Sequence, residues 1–183
     1  MKHLLLILGV LVSLTSTSFS QTYMCQAGSI SFFQSTPVED IDARSNRLLS
    51  VLNPANNAIA YKIDVRTFIF EKSLMQDHFN ENYIESSKYP YATYVGVINE
   101  KIDWTKDGVY DITSTGKLTL HGVTKDITEK GKLSIHNGEI TISNMFNIKF
   151  TDYGVEIPKL LIKDLSDTVE MNINCMYTKS KTK

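Results

Sequence analysis

Apolar side chains recur at every second position over most of this chain. Ile59, Tyr61, Ile63 and Val65 alternate with Ala60, Lys62, Asp64 and Arg66, and Ile112, Leu118 and Leu120 share one phase with Ser114 and Gly116 between them. Ile140, Ile142, Phe146, Ile148 and Phe150 form a third set, and Val169, Met171, Ile173, Cys175 and Tyr177 a fourth. Period two is the mark of strands with one face buried. Weaker alternation marks strands over 28–34, 91–102 and 127–136. Two dipeptides, Asp107-Gly108 and Asn137-Gly138, separate neighbouring strands. Each tolerates the positive φ of a two-residue type I′ hairpin turn. Successive hairpins form a meander, and a meander with one buried face and no open edge closes on itself. The pattern therefore predicts an all-β, antiparallel β-barrel in preference to a sandwich.

One stretch has a different period. From Ser73 to Tyr89, Met75, Phe79 and Tyr83 recur every four residues with Leu74 alongside, and Ser73 and Gln76 have capping-box spacing. This predicts one inserted helix, ended by Pro90. A single amphipathic helix between barrel strands is placed to close one mouth, with Leu74, Met75, Phe79 and Tyr83 as a plug. Packing of the helix against the outside wall is the alternative.

The ends of the chain add a compartment. Lys2 and His3 precede an apolar run from Leu4 to Val12, followed by small and polar residues to Ser20. That is the layout of a secretory signal peptide over residues 1–20, and the run is too short for a membrane-spanning helix. A mature domain of 21–183 is expected, periplasmic or secreted from a bacterium. Thr22, Tyr23 and Met24 before Cys25 are not the small residues that lipidation of a cysteine needs. About 160 residues form one domain with a single core. The net charge of −1, with acids and bases interspersed, gives no signal for nucleic-acid binding. Cys25 and Cys175 are candidates for a disulfide, because the first and last strands of a closed barrel are neighbours and exported proteins keep disulfides. Against it, Cys175 shares a phase with Val169, Met171 and Ile173, whereas Cys25 is out of phase with Ile30 and Phe32.

Several small or polar residues interrupt the inward phases: Ser114 and Gly116 on one strand, Gly96 between Tyr94 and Ile98, and Asn144 between Ile142 and Phe146. They either make room for a ligand and offer its head group a hydrogen bond, or mark bulges and bends. Catalytic signatures are absent: the chain has no G-x-S-x-G, H-E-x-x-H or C-x-x-C. His78, His121 and His136 are scattered, and the run from Asp103 to Ser114 lacks the closing Glu of a calcium loop. No metal or cofactor is expected.

The segments LMQDHFNENYIESSKYPYATYVG (Leu74 to Gly96) and GKLTLHGVTKDI (Gly116 to Ile127) resemble the YceI family of lipid- or polyisoprenoid-binding proteins. PVEDIDARSN (Pro37 to Asn46) and FTDYGVEIP (Phe150 to Pro158) are similar to further family segments. The resemblance implies a lipocalin-like barrel of about eight strands with a helix, exported to the periplasm, holding a long-chain polyisoprenoid or fatty-acid-like lipid in an apolar tunnel. The tunnel would be lined by Ile63, Val65, Tyr94, Gly96 and Ile98 on the middle strands. Gly116, Leu118, Leu120, Asn144, Phe146 and Ile148 would follow, with Met171 and Ile173 on the last strand. An apolar lipid is the expected partner, with transient membrane contact during loading, while ligand length and oligomeric state stay open at this level. Two other readings remain: a structural or stress-response interaction module with a self-filled barrel, and a lipid isomerase or cyclase using Tyr61, Tyr94 or Tyr110.

Overall fold

Nine strands, all paired antiparallel, take up the period-two stretches in a computed structural model that describes residues 21–35, 40–155 and 167–180. The expected leader at 1–20, Pro37 to Glu39 and the end of the FTDYGVEIP segment lie outside those residues. The strands are β1 (Tyr23–Gln34), β2 (Ile41–Asn53), β3 (Ala58–Asp64), β4 (Ile69–Phe70), β5 (Tyr91–Ile98), β6 (Gly108–Leu120), β7 (Val123–His136), β8 (Glu139–Lys149) and β9 (Thr168–Lys179). Hydrogen-bonded neighbours run β1-β9-β8-β7-β6-β5-β3-β2, and β1 also pairs with β2, which closes an eight-stranded barrel. The two-residue β4 is an appendix on β2.

β2 escapes period-two reading for a local reason. Its inward residues are Ala43, Ser45, Leu48, Ser50 and Leu52, so small and polar groups weaken the contrast. Its inward phase also shifts by one between Ser45 and Leu48, where pairing with β1 is irregular. The same irregularity, between Cys25 and Ile30 of β1, removes the face conflict between the cysteines. An extra residue in one strand reverses the phase, and both thiols turn inward, 3% and 0% exposed. They are free in this structure, yet their sulfurs lie 3.2 and 2.8 Å from the place a Cβ on Gly28 would occupy.

The hairpins differ in detail from expectation. Asn137 and Gly138 adopt φ of 50° and 79°, as a type I′ turn requires. Gly108 does not have positive φ; it opens β6 after a loop over 99–107, and the Asp107 carboxylate accepts from the Asn137 N–H at 3.0 Å. A second two-residue turn, at His121 and Gly122 with φ of 50° and 75°, joins β6 to β7.

The helix is shorter than predicted. α1 covers Ser73–His78, a π turn continues it over Phe79–Tyr83, and Lys72 rather than Ser73 is the N-cap, with no side-chain capping bond. Gln76 is used elsewhere: its Oε1 accepts from the Phe70 N–H at 3.4 Å. The widened turn brings Phe79 and Ile84 inward, 5% and 1% exposed, while Leu74 stays 63% exposed.

The barrel interior has two unlike halves. Away from the helix Leu52, Ile59, Ile98, Ile112, Leu133, Ile135, Ile140, Ile142 and Tyr177 are each at most 4% exposed and border no part of the cavity beside the helix, and we call this the solid half. Beside the helix five phenylalanines meet. Phe32 lies 5.3 to 6.2 Å, centroid to centroid, from Phe68, Phe70, Phe79 and Phe150.

Candidate functional site

Between the aromatic cluster and the solid half lies a cavity of about 70 Å³. Each of the eight barrel strands contributes residues of its helix-side half. Ile30 and Phe32 come from β1, Leu48 from β2, Tyr61 and Ile63 from β3, Ala92, Thr93 and Tyr94 from β5, Leu118 and Leu120 from β6. Ile127 and Glu129 follow from β7, Phe146 and Ile148 from β8, Met171 and Ile173 from β9. Val65, Phe68, Phe79, Ile84 and Phe150 complete it at the helix end. The cavity exists there because the chain supplies rings at the rim and medium-sized aliphatic residues around the wall, which leave the axis unfilled; in a barrel of eight strands that difference decides between a solid core and a small ligand site.

Ten of the residues singled out in the sequence border this cavity: Ile63, Val65, Phe79, Tyr94, Leu118, Leu120, Phe146, Ile148, Met171 and Ile173. Seven do not. Leu74 faces solvent, and Met75 and Tyr83 are half-buried against the core without reaching the cavity, so of the four expected plug residues only Phe79 borders it, joined by Ile84. Ile98 belongs to the solid half. Gly96 and Gly116 face each other across β5 and β6. Their lack of side chains serves packing, not a tunnel: a Cβ on Gly96 would lie 2.3 Å from Tyr94 Oη, and one on Gly116 would lie 2.3 Å from the Val95 carbonyl oxygen. Asn144 is likewise off the cavity; its amide fills the space over Gly131, whose Cβ would meet Asn144 Oδ1 at 2.6 Å.

Polar groups gather where the cavity meets the solid half. The Tyr61 and Tyr94 rings stack at 5.8 Å, Tyr94 Oη and Ser114 Oγ share a hydrogen bond of 2.6 Å, and Ser50 Oγ and Tyr177 Oη share one of 2.7 Å. Burial pushes the Tyr94 phenol up to about 12 and raises Tyr61 and Tyr177 as well. Burial also raises the Cys175 thiol, with Cys25 beside it adding to the effect.

The residue that period-two reading overlooked is Glu129. It is 1% exposed and borders the cavity, and among the described residues neither carboxylate oxygen makes a hydrogen bond of good geometry, although the Asn144 amide lies close enough to act on it. Burial lifts its pKa to about 7, against a smaller downward pull from the Asn144 amide. Its phase was readable, since Ile127, Glu129, Gly131, Leu133 and Ile135 alternate inward along β7.

At the helix end, the imidazole of His121 joins three segments: Nε2 lies 2.9 Å from Glu85 Oε2 and Nδ1 lies 3.2 Å from the Tyr153 carbonyl oxygen. Tyr89 packs edge-on at 4.4 Å. The LTLHG segment thus ends in a latch that ties the chain after the π turn to the β6–β7 hairpin and to the turn after β8.

Comparison with known proteins agrees with this architecture. A polyisoprenoid binding domain from Saccharophagus degradans, implicated in plant cell wall breakdown, superposes with a TM-score of 0.70 at 19% identity, over 86% of this chain and 98% of that one. BcnA of Burkholderia cenocepacia gives 0.67 at 19% identity, over 82% and 96%. A YceI protein of Campylobacter jejuni gives 0.62 at 21% identity, over 81% and 90%. No curated protein matches the chain. At these identities the likeness is one of fold. The profile of the YceI-like domain, however, matches residues 17–177, nearly the whole chain, and the chain belongs to the YceI family.

Proposed function

We propose that this protein is exported and holds a long apolar lipid, isoprenoid or similar, inside its barrel as a carrier or reservoir. The observation that carries this reading is the apolar-walled cavity confined to the helix-side half of the barrel. A self-filled interaction module has no reason to leave the axis open on one side only. The Saccharophagus domain of the same fold, described as polyisoprenoid-binding, supports the ligand class.

Magnitudes favour reversible holding. Each buried methylene gains roughly 0.8 kcal/mol relative to water. Relative to a bilayer the gain nearly vanishes, because the tail exchanges one apolar environment for another. A cavity of about 70 Å³ has room for roughly five water centres. A long-chain lipid exceeds that volume several times over, so its entry requires side chains of the wall to shift.

The reading is tested by extracting purified mature protein with organic solvent and identifying released lipid by mass spectrometry. About one long-chain lipid per chain is expected. Protein that releases none, and takes up none when offered a long-chain isoprenoid, overturns the reading. Recovery of a chemically altered lipid after incubation would favour the isomerase or cyclase alternative, for which Glu129 is the available acid–base group.

A further inference from the structure

Buried polar atoms without partners are rare in folded proteins, and each asks for an explanation. Among the described residues five such side-chain atoms occur: Tyr61 Oη, Asn80 Oδ1, both carboxylate oxygens of Glu129, and Asn144 Oδ1. All but the Asn80 oxygen belong to the polar layer between the cavity and the solid half. Glu129 and Tyr61 border the cavity directly, and Asn144 adjoins Glu129. On β7 the ladder to β8 runs from His136 back to Lys130 and stops there, so Glu129 is the first residue beyond it. Its side chain is in no described ion pair, and the residue borders the cavity.

We propose that Glu129 is the head-group site of the cavity, and that the ligand it selects is a long-chain alcohol whose terminal hydroxyl bonds the carboxyl while the tail runs among Phe32, Phe68 and Phe79. The proposal rests on the lipid-holding reading and adds to it the chemistry of the ligand's polar end. Three observations direct the choice. Asn144 Oδ1 only accepts, and the Glu129 carboxyl donates when protonated and accepts when ionised, so a ligand group that does both can meet them. Among the described residues no lysine or arginine borders the cavity, so a carboxylate or phosphate head would place like charge beside Glu129 with none of them to compensate it. A carboxyl that burial holds near half-ionisation at neutral pH needs a partner able both to donate and to accept, and a hydroxyl does both, whereas an ammonium only donates and loses its own hydration on entry.

The test uses the mature protein and three probes sharing one isoprenoid skeleton: the alcohol, the carboxylic acid and the hydrocarbon. Wild-type protein is expected to bind the alcohol about tenfold more tightly than either of the others. Glu129→Leu should abolish the preference for alcohol over hydrocarbon while still binding the hydrocarbon. Glu129→Gln, which keeps the shape and removes the charge, should retain that preference and admit the acid about tenfold better. Equal binding of alcohol and hydrocarbon by the wild type overturns the head-group site and leaves the lipid-holding reading standing. So does an undiminished alcohol preference in Glu129→Leu, or continued exclusion of the acid by Glu129→Gln. Failure of the wild type to bind any of the three overturns both.

Discussion

Glu129 sets a pH dependence that can be worked out in sign. Its pKa rises from an ordinary carboxyl value to about 7 on folding, because burial among apolar groups disfavours the charged form. The folded protein therefore holds a proton that the unfolded chain releases between about pH 4.5 and 7. The stabilising contribution is complete below the unfolded value and is lost as pH rises through the folded one. Its full size is on the order of 3 kcal/mol. Urea unfolding of wild type and Glu129→Gln at about pH 5 and pH 8 measures it. The wild type should lose about 2 kcal/mol more than the variant over that interval. Equal losses would show that the carboxyl is not held in the protonated form. The sequence showed residue phase but not residue purpose. Leu118 and Ile148 read correctly as inward, whereas Gly116 looked like space for a ligand. What it spares is a collision with the Val95 carbonyl, a cross-strand contact that no pattern along one strand can reveal.

Among the elements, α1 and its π turn make the specific claim that one end of the barrel is closed by Phe79. Packing of this ring on Phe32, Phe68 and Phe70 at 5.0 to 5.9 Å leaves it 5% exposed. A carboxylate in its place costs several kcal/mol unless it swings out to water, and swinging out unseats the plug. Phe79→Asp is therefore expected to keep the β-sheet circular dichroism signal and to retain less than half of the wild-type lipid. Full retention in the folded variant would place the closure elsewhere. The four-residue recurrence of Met75, Phe79 and Tyr83 announced a helix, and one forms. What it could not show is the π turn, whose extra residue rotates Phe79 and Ile84 inward and leaves Tyr83 at the edge. β2 was missed because Ser45 and Ser50 face inward and the pairing with β1 slips beside them. The hairpin at His121 and Gly122 was missed because neither residue pair nor spacing matches the common Asn-Gly or Asp-Gly signal.

At the scale of the whole molecule, closure is the feature that follows most directly from composition. Alternation over seven stretches with polar turns implies a sheet that must hide its edges, and β1 pairing with both β9 and β2 does so. Division of the interior is less visible, because Ile140 and Ile148 look alike in sequence while one belongs to the solid half and the other to the cavity. Which half stays open depends on where the aromatic rings and the π turn fall relative to the barrel axis, and that is a property of eight strands together. The central claim is that this open half is where lipid is held. It is tested most directly by filling it: Leu118→Trp enlarges a side chain on the cavity wall. Titration of wild type and variant with a long-chain isoprenoid alcohol, read as moles bound per mole of protein, should give about one for the wild type and close to none for a variant that still folds. Equal stoichiometry in the two proteins would contradict the account, because lipid would then be held somewhere other than this cavity.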